Sequence, residues 1–166
     1  LAQEEARLQP LQGRERSASA DAPRHSMFAV GHRSRPLRLE RWIPQSPRSD
    51  QTWVLMMPGL GGDPNHFHWL ARSLMQAGWP VMVLEHPGSD ATAVQGLLEG
   101  RQSFDGAAAL SDRLADLEAV LEAHRRGDLN IPGTEVVLMG HSLGALTALL
   151  ASGAELVPGM AQRCEA

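Results

Sequence analysis

The sequence predicts one α/β domain in which helices cover both faces of a mostly parallel sheet. Three short, uncharged apolar runs, 52–57, 81–84 and 136–139, are typical of strands buried on both faces. The segments between them hold apolar residues at helical spacing, most clearly over 105–124. Strand and helix therefore alternate from residue 52 to residue 152, which predicts three layers and right-handed crossovers.

The composition indicates a globular chain without a nucleic-acid partner. The 166 residues are 43% hydrophobic, which is enough for a core, and the formal net charge is −4. All fifteen basic residues are arginines, and they form no basic block of the kind that binds nucleic acid. The absence of lysine also excludes a Walker-type phosphate loop.

The sequence indicates neither a membrane-spanning helix nor an oxidising compartment. No apolar run reaches the roughly 18 residues that a membrane-spanning helix needs. The single cysteine, Cys164, has no partner for an internal disulfide. We therefore expect no membrane span and a cytoplasmic protein.

The N-terminal part of the chain is predicted to contain a flexible tail, residues 1–26, followed by the domain, residues 27–166. The tail is charged and nearly free of large apolar side chains, so burial offers little to offset its ordering entropy. Residues 37–43 alternate apolar and charged side chains, which predicts an edge strand with one face in water. Pro44 ends that strand.

The segment from residue 52 to residue 103 is predicted to form strand, glycine loop, helix, strand and a long loop. The loop at 58–62 opens a helix that has Asp63 as its cap and Gly78 as its stop. The strand at 81–84 leads into a loop over 90–103, which is long enough to border a binding site and contains a helical turn at 93–98.

The longest predicted helix covers residues 105–124. Its leucines recur on one face, and its acidic residues lie on the other, where we expect them to be solvated. These acidic residues are Asp112, Asp116, Glu118 and Glu122.

A sharp turn between strand and helix is predicted at Gly140-His141-Ser142-Leu143-Gly144. In Gly-x-Ser-x-Gly between a buried strand and an apolar helix, the strained turn presents the serine hydroxyl at the end of the sheet as a nucleophile. The alternative is that Ser142 only caps the helix. His141 is interpreted as structural, because adjacent residues on a tight turn point in different directions.

The glycine loop at 58–62 is interpreted as half of an oxyanion hole. Attack by Ser142 on a carbonyl would place negative charge on its oxygen, which fixed backbone N–H groups stabilise. We assign these donors to Leu143 and Leu60, with Gly61 as the alternative to Leu60. A dinucleotide-binding loop fits poorly, since the position of its third glycine is Pro64, and a turn without chemical function stays open.

The histidines do not form a convincing metal site, and the predicted chemistry requires no metal and no cofactor. His66 and His68 are two residues apart on a helix and so diverge by about 200°. His86 follows a strand and either lines the predicted cleft or is packed or solvated without a role there.

The usual partners of a nucleophilic serine are missing after Ser142. In this type of site the order along the chain is serine, acid, histidine. The 24 residues that follow Ser142 contain Glu155 and Glu165 but neither aspartate nor histidine. The sequence is therefore expected to be an incomplete chain that ends after the turn-and-helix unit, which would leave an exposed apolar sheet edge. The alternatives are a shortened, inactive relative that binds or scaffolds, and a fragment without a function of its own.

Residues 52–157 resemble the α/β-hydrolase superfamily, and more narrowly the N-terminal half of its bacterial branch of predicted dienelactone hydrolases similar to platelet-activating-factor acetylhydrolases. The segments that carry the resemblance are 58–62, 85–89, 112–117 and 140–145, together with the early strand 37–44. The resemblance implies a three-layer α/β-hydrolase sandwich. Dienelactone hydrolases use a cysteine nucleophile, so Ser142 favours hydrolysis of a small carboxylic ester by water.

Overall fold

The computed structural model describes residues 8–10 and 22–155, which form one mixed sheet flanked by helices. The sheet has six strands in the order β1-β2-β3-β5-β4-β6. The strands are β1 (Leu8–Pro10), β2 (Arg24–Phe28), β3 (Leu37–Trp42), β4 (Thr52–Met57), β5 (Val81–Glu85) and β6 (Glu135–Gly140). The helices are α1 (His68–Gln76), α2 (Ala91–Leu98), α3 (Gly106–Arg125) and α4 (Leu143–Ala151).

The three strands predicted as buried apolar runs are the parallel part of the sheet. β4 pairs in parallel with β5 on one side and with β6 on the other. The carboxyl ends of all three strands therefore lie on the same side of the sheet, beyond the ends of the strands, where ligands of such sheets bind. The glycine loop after β4 and the turn after β6 meet there.

The two faces of the sheet form separate apolar cores, which gives the predicted three layers. Trp53, Leu55 and Met57 of β4 face α3 and α4, whereas Val54 and Met56 face α1. This alternation follows from the two-residue period of a strand. The prediction of a three-layer α/β sandwich is confirmed.

The helices begin and end close to where the sequence predicts. Asp63 caps a 3-10 helix, Pro64–Phe67, by accepting a hydrogen bond from the Asn65 amide, and α1 continues from it. Gly78 has a φ of +90°, which suits a glycine at the end of a helix. The helical turn predicted at 93–98 is the eight-residue helix α2, capped by Asp90.

The prediction that residues 37–43 form an edge strand is wrong. β3 lies inside the sheet, paired in antiparallel fashion with β2 and with β5. Its charged residue Glu40 is completely buried and contacts Arg38, His25 and His68. Alternation indicated a solvated face, but three cationic or polar side chains supply the partners that a buried carboxylate needs.

Two strands of the sheet include residues of the predicted tail, 1–26. β2 begins at Arg24 rather than Met27, and Leu8–Pro10 pairs with β2 as a short outer strand. Backbone hydrogen bonds stabilise these strands without requiring many apolar side chains. The rest of the predicted tail, 1–7 and 11–21, lies outside the described residues, as do residues 156–166.

The strand β6 forms one edge of the described sheet and is exposed along its first half. Val136 and Val137 are 37% and 41% exposed. The apolar sheet edge expected from the sequence is therefore present in the described part of the chain. No helix in that part is long and apolar enough to cross a bilayer.

Candidate active site

The chain makes a sharp, strained turn between β6 and α4, with Ser142 at its apex. β6 ends at Gly140 and α4 begins at Leu143, so only two residues separate them. Ser142 has φ +54° and ψ −120°, a combination that costs about 1–3 kcal/mol for a residue with a side chain. Its side chain is exposed and makes no capping hydrogen bond, which argues against the helix-cap interpretation.

The two glycines of the turn are required by close backbone packing. A Cβ atom on Gly140 would lie 2.2 Å from the carbonyl carbon of Gly144. A Cβ atom on Gly144 would lie 2.0 Å from the carbonyl oxygen of Met57, at the end of β4. Both distances are impossible for real atoms, so helix α4 can approach the sheet this closely only with glycine at these positions.

The glycine loop after β4 lies directly against Ser142. A Cβ atom on Gly59 would be 3.0 Å from the Ser142 Cβ and 2.9 Å from the His141 carbonyl oxygen. The adjacent amide, that of Leu60, has no hydrogen-bond acceptor within residues 22–155, and the same is true of the Leu143 amide. The Gly61 amide, in contrast, donates to the Ser89 carbonyl at 2.8 Å.

A strand-turn-helix unit of this geometry occurs in a known family, and the sequence matches that family's model. The model of the serine aminopeptidase S33 family matches residues 48–159, which is more than half of the chain. The chain belongs to this family. The S33 match covers both the glycine loop and the Ser142 turn and places the chain in the α/β-hydrolase superfamily.

Solved structures of esterases share the fold of this S33 family member. A ferulic acid esterase from Streptomyces cinnamoneus is 16% identical with a TM-score of 0.56, over 89% of this chain and 53% of its own. A thermophilic esterase from the Planctomycetes species Thermogutta terrifontis is 17% identical with a TM-score of 0.52, over 78% of this chain and 44% of its own. These likenesses show the α/β-hydrolase fold alone.

The S33 chain spans about half the length of these two structures. No curated protein sequence matches it.

The long helix α3 contributes a buried ionic cluster that the sequence analysis missed. Asp116 was predicted to be solvated, but it is completely buried. Its carboxylate accepts hydrogen bonds from Arg33, from His32 at 2.7 Å and from His86 at 2.8 Å. The prediction of a purely solvated acidic face is therefore wrong. No local pattern indicated the burial, because His32 and Arg33 are 84 and 83 residues away from Asp116 along the chain.

The pKa values of both His86 and Asp116 are lowered, for different reasons. Burial lowers the pKa of His86 to about 4, against the opposing effect of its hydrogen bond to Asp116. Burial alone would raise the pKa of Asp116, but hydrogen bonds from His86 and Arg33 outweigh it and hold that pKa at about 2. Asp116 is therefore ionised and His86 neutral near pH 7, with the His86 proton on Nδ1.

Asp116 and His86 are hydrogen-bonded to each other, as the acid and histidine of a serine hydrolase are, but both side chains are inaccessible to solvent. His86 Nε2 is buried and has no hydrogen-bond partner among the described residues. Ser142, in contrast, is exposed. His86 therefore does not line an open cleft, and the packed-imidazole interpretation is the one that the structure supports.

A second buried cation, Arg113, lies beneath the loops around Ser142. Its side chain is 1% exposed, and burial lowers its pKa to about 10, so it stays charged at neutral pH. Its guanidinium donates to Thr147 Oγ1, to Ser89 Oγ and to the Pro58 carbonyl. Nothing in its helical spacing distinguishes Arg113 from a solvated arginine.

His66 and His68 lie in different surroundings and share no site. His68 Nε2 lies 2.7 Å from the buried Glu40 carboxylate, while His66 is exposed. No group of three histidine, cysteine or acidic side chains with metal-binding geometry occurs in residues 8–10 and 22–155.

Proposed function

We propose that the chain is a serine hydrolase of carboxylic esters in which Ser142 is the nucleophile. The observation that carries the proposal is the backbone of Ser142, held at φ +54° between a strand end and a helix with its side chain exposed. Such strain persists only where the surrounding structure enforces it, and it is common at catalytic positions. The Ser142 Oγ would attack the ester carbonyl, the ester C–O bond would break, and the alcohol would leave with the proton that the serine loses. Water would then hydrolyse the acyl-enzyme to the free acid and restore the Ser142 hydroxyl.

The amides of Leu60 and Leu143 are proposed as the oxyanion hole. Leu143 is the first residue of α4, so its amide lies at the positive end of a helix. Leu60 follows Gly59, whose backbone contacts Ser142. The alternative donor, Gly61, is disfavoured because its N–H already donates to the Ser89 carbonyl.

An ester with an apolar group is the substrate class that we propose. Leu60, Leu97 and Phe104 are exposed by 41%, 39% and 37% and line one shallow depression beside the glycine loop. No charged side chain lines that depression. The two solved structures with a similar fold are esterases, which favours an ester substrate. The S33 family is named for an aminopeptidase, which makes an amide substrate the alternative.

The narrower relationship to the dienelactone hydrolase and platelet-activating-factor acetylhydrolase branch is part of the proposal. It rests on the sequence of the glycine loop, of residues 85–89 and of residues 112–117. Ser142, in place of the cysteine of dienelactone hydrolases, favours ester substrates over dienelactones.

The general base is not assigned to any described residue. His86, the described histidine that is hydrogen-bonded to the buried Asp116, is itself buried away from solvent. This observation favours a second candidate function, a module that binds esters without hydrolysing them.

Labelling with an alkyl fluorophosphonate tests the nucleophile directly, because the reagent forms a covalent bond only with an activated serine. Wild type should be labelled at one site, and Ser142→Ala should lose the label. Ser152→Ala is the matched control, since Ser152 is an exposed hydroxyl at the other end of α4. Labelling that persists in Ser142→Ala would refute the assignment.

Substrate class is tested by comparing p-nitrophenyl acetate with alanine p-nitroanilide. Ester turnover that depends on Ser142 supports the esterase, and preferential anilide turnover supports the amide alternative. A chain that binds ester analogues but shows equal background turnover in wild type and Ser142→Ala would support the binding module.

A further inference from the structure

Arg113 connects the three segments that surround Ser142, although it touches none of the reacting atoms. The guanidinium is buried, and its Nη2, Nη1 and Nε nitrogens each donate to a different segment. The acceptors lie on the glycine loop, on the loop after β5 and on helix α4. A planar guanidinium with donors in a fixed fork is suited to holding several acceptors in one geometry.

The contacts of Arg113 fix the glycine loop on both sides of Leu60. Nη2 donates to the Pro58 carbonyl, which precedes Gly59 and Leu60. Nη1 donates to Ser89 Oγ at 2.8 Å, and the Ser89 carbonyl accepts the Gly61 N–H, also at 2.8 Å. The Pro58–Gly59 peptide is therefore restrained directly and the Leu60–Gly61 peptide through Ser89, and the peptide that carries the Leu60 N–H lies between these two.

The third contact of Arg113 reaches the other proposed oxyanion donor. Nε donates to Thr147 Oγ1 at 3.0 Å, and this hydroxyl donates to the Leu143 carbonyl at 2.8 Å. The first turn of α4 is thus linked to the same guanidinium as the glycine loop. The Pro58 carbonyl also packs against Gly144, where an added Cβ would lie 2.8 Å away.

The acceptors around Arg113 are all neutral. Within the described residues, no carboxylate forms an ion pair with its guanidinium, whereas the other arginine of the cluster, Arg33, pairs with Asp112 and Asp116. A buried cation that is hydrogen-bonded only to hydroxyls and a carbonyl is costly to retain. Its positive charge also lies beside the loop where the oxyanion would form.

We propose that Arg113 is a positioning residue that sets the distance and orientation of the Leu60 and Leu143 amides relative to each other. This inference rests on the proposed function, because it concerns the geometry of the same oxyanion hole. Small misplacement of catalytic groups can cost about a hundredfold in rate. The arginine fork, rather than its charge alone, should be required.

The test compares Arg113→Lys with Arg41→Lys in the full chain, by the second-order rate of fluorophosphonate labelling per folded molecule. Lysine retains the charge but cannot reach three acceptors. Arg41 is the matched control, since it is partly buried, donates to the Leu129 carbonyl and lies on β3 away from the Ser142 turn. We expect a fall of about tenfold or more for Arg113→Lys and no change for Arg41→Lys.

Ser89→Ala and Thr147→Val each remove one hydrogen-bond acceptor of Arg113. They replace Arg113→Lys as the test variants if that protein does not fold. Each should lower the labelling rate several-fold while leaving the melting temperature within a few degrees of wild type. Equal labelling rates for all these variants and wild type, per folded molecule, would overturn the inference.

A second readout separates failure of this inference from failure of the proposed function. Hydrogen exchange of the Gly61 amide, followed by NMR, reports the Ser89 connection without any catalysis. It should accelerate in Arg113→Lys and not in Arg41→Lys. If wild type is not labelled, the proposed function fails, and unchanged Gly61 exchange in Arg113→Lys would in addition disprove the restraint by Arg113.

Discussion

His86 Nδ1 lies 2.8 Å from Asp116 Oδ2, and neither side chain is accessible to solvent. The pair connects the loop after β5 to the middle of α3. Arg33 and His32 complete the shell around the Asp116 carboxylate. Because the cluster is buried, its protonation equilibria differ between the folded and unfolded chain, and stability should depend on pH.

The free energy of unfolding should fall as the pH drops from about 6.5 to about 4. In that interval the unfolded chain protonates His86, whereas the folded chain does not, because its pKa is lowered to about 4. The expected slope is roughly 1 kcal/mol per pH unit. Protonation of Asp116 adds a further loss between about pH 4 and pH 2, since its pKa is lowered to about 2 in the folded state.

Urea unfolding of wild type and His86→Asn at several pH values measures this effect. The variant has no titrating ring at this position, so its stability should vary less over pH 4 to 6.5. His124 also has a pKa lowered by burial and contributes a slope to both proteins. Parallel pH profiles for the two proteins would show that His86 is not responsible.

Asp116→Asn should destabilise the fold strongly, by about 3–5 kcal/mol, because it leaves the mostly buried guanidinium of Arg33 without its main partner. Asp112→Asn is the matched control, since Asp112 pairs with the same arginine but is 49% exposed. That change should cost no more than about 1 kcal/mol. Similar chemical denaturation midpoints for the two variants would contradict the assigned importance of Asp116.

Gly144→Ala should lower the free energy of unfolding by roughly 3 kcal/mol or more, because the new methyl group would overlap the Met57 carbonyl oxygen at 2.0 Å. Gly96→Ala is the control within another helix. The atoms nearest to its methyl group would belong to the flexible Gln102 side chain, the closest at 3.0 Å. Thermal unfolding followed by circular dichroism distinguishes them, and equal melting temperatures would argue against close packing of α4 on β4.

Ser142→Gly should be more stable than Ser142→Ala by about 1 kcal/mol. Alanine keeps the strain of φ +54° and ψ −120°, whereas glycine adopts this conformation without a Cβ clash. At Ser152, where φ is −87°, glycine should offer no such advantage over alanine. Differential scanning calorimetry of the four variants measures both differences, and the absence of a gain at position 142 would mean that the turn is unstrained.

Val83→Ala should cost roughly 2 kcal/mol, and Val137→Ala less than about 1 kcal/mol. Val83 lies on the internal strand β5 and is completely buried, while Val137 on the edge strand β6 is 41% exposed. Equilibrium urea denaturation gives both values. A larger loss at Val137 would show that the edge of β6 is covered in solution.

The sequence was sufficient for the parts of the molecule that local patterns control. Uninterrupted apolar runs predicted β4, β5 and β6, and helical periodicity predicted α3. The Gly-x-Ser-x-Gly turn was predictable because its glycines and its strained serine are requirements of a few adjacent residues.

Only the tertiary structure decided which charged residues are buried. Glu40, Arg113 and Asp116 have the spacing of solvated residues, and they are buried because partners distant in sequence supply hydrogen bonds and charge. For the same reason β3 could not be recognised as an internal strand, since β2 covers it through backbone pairing. A pattern along the chain records a residue's polarity, whereas burial of a charge depends on groups that folding brings to it.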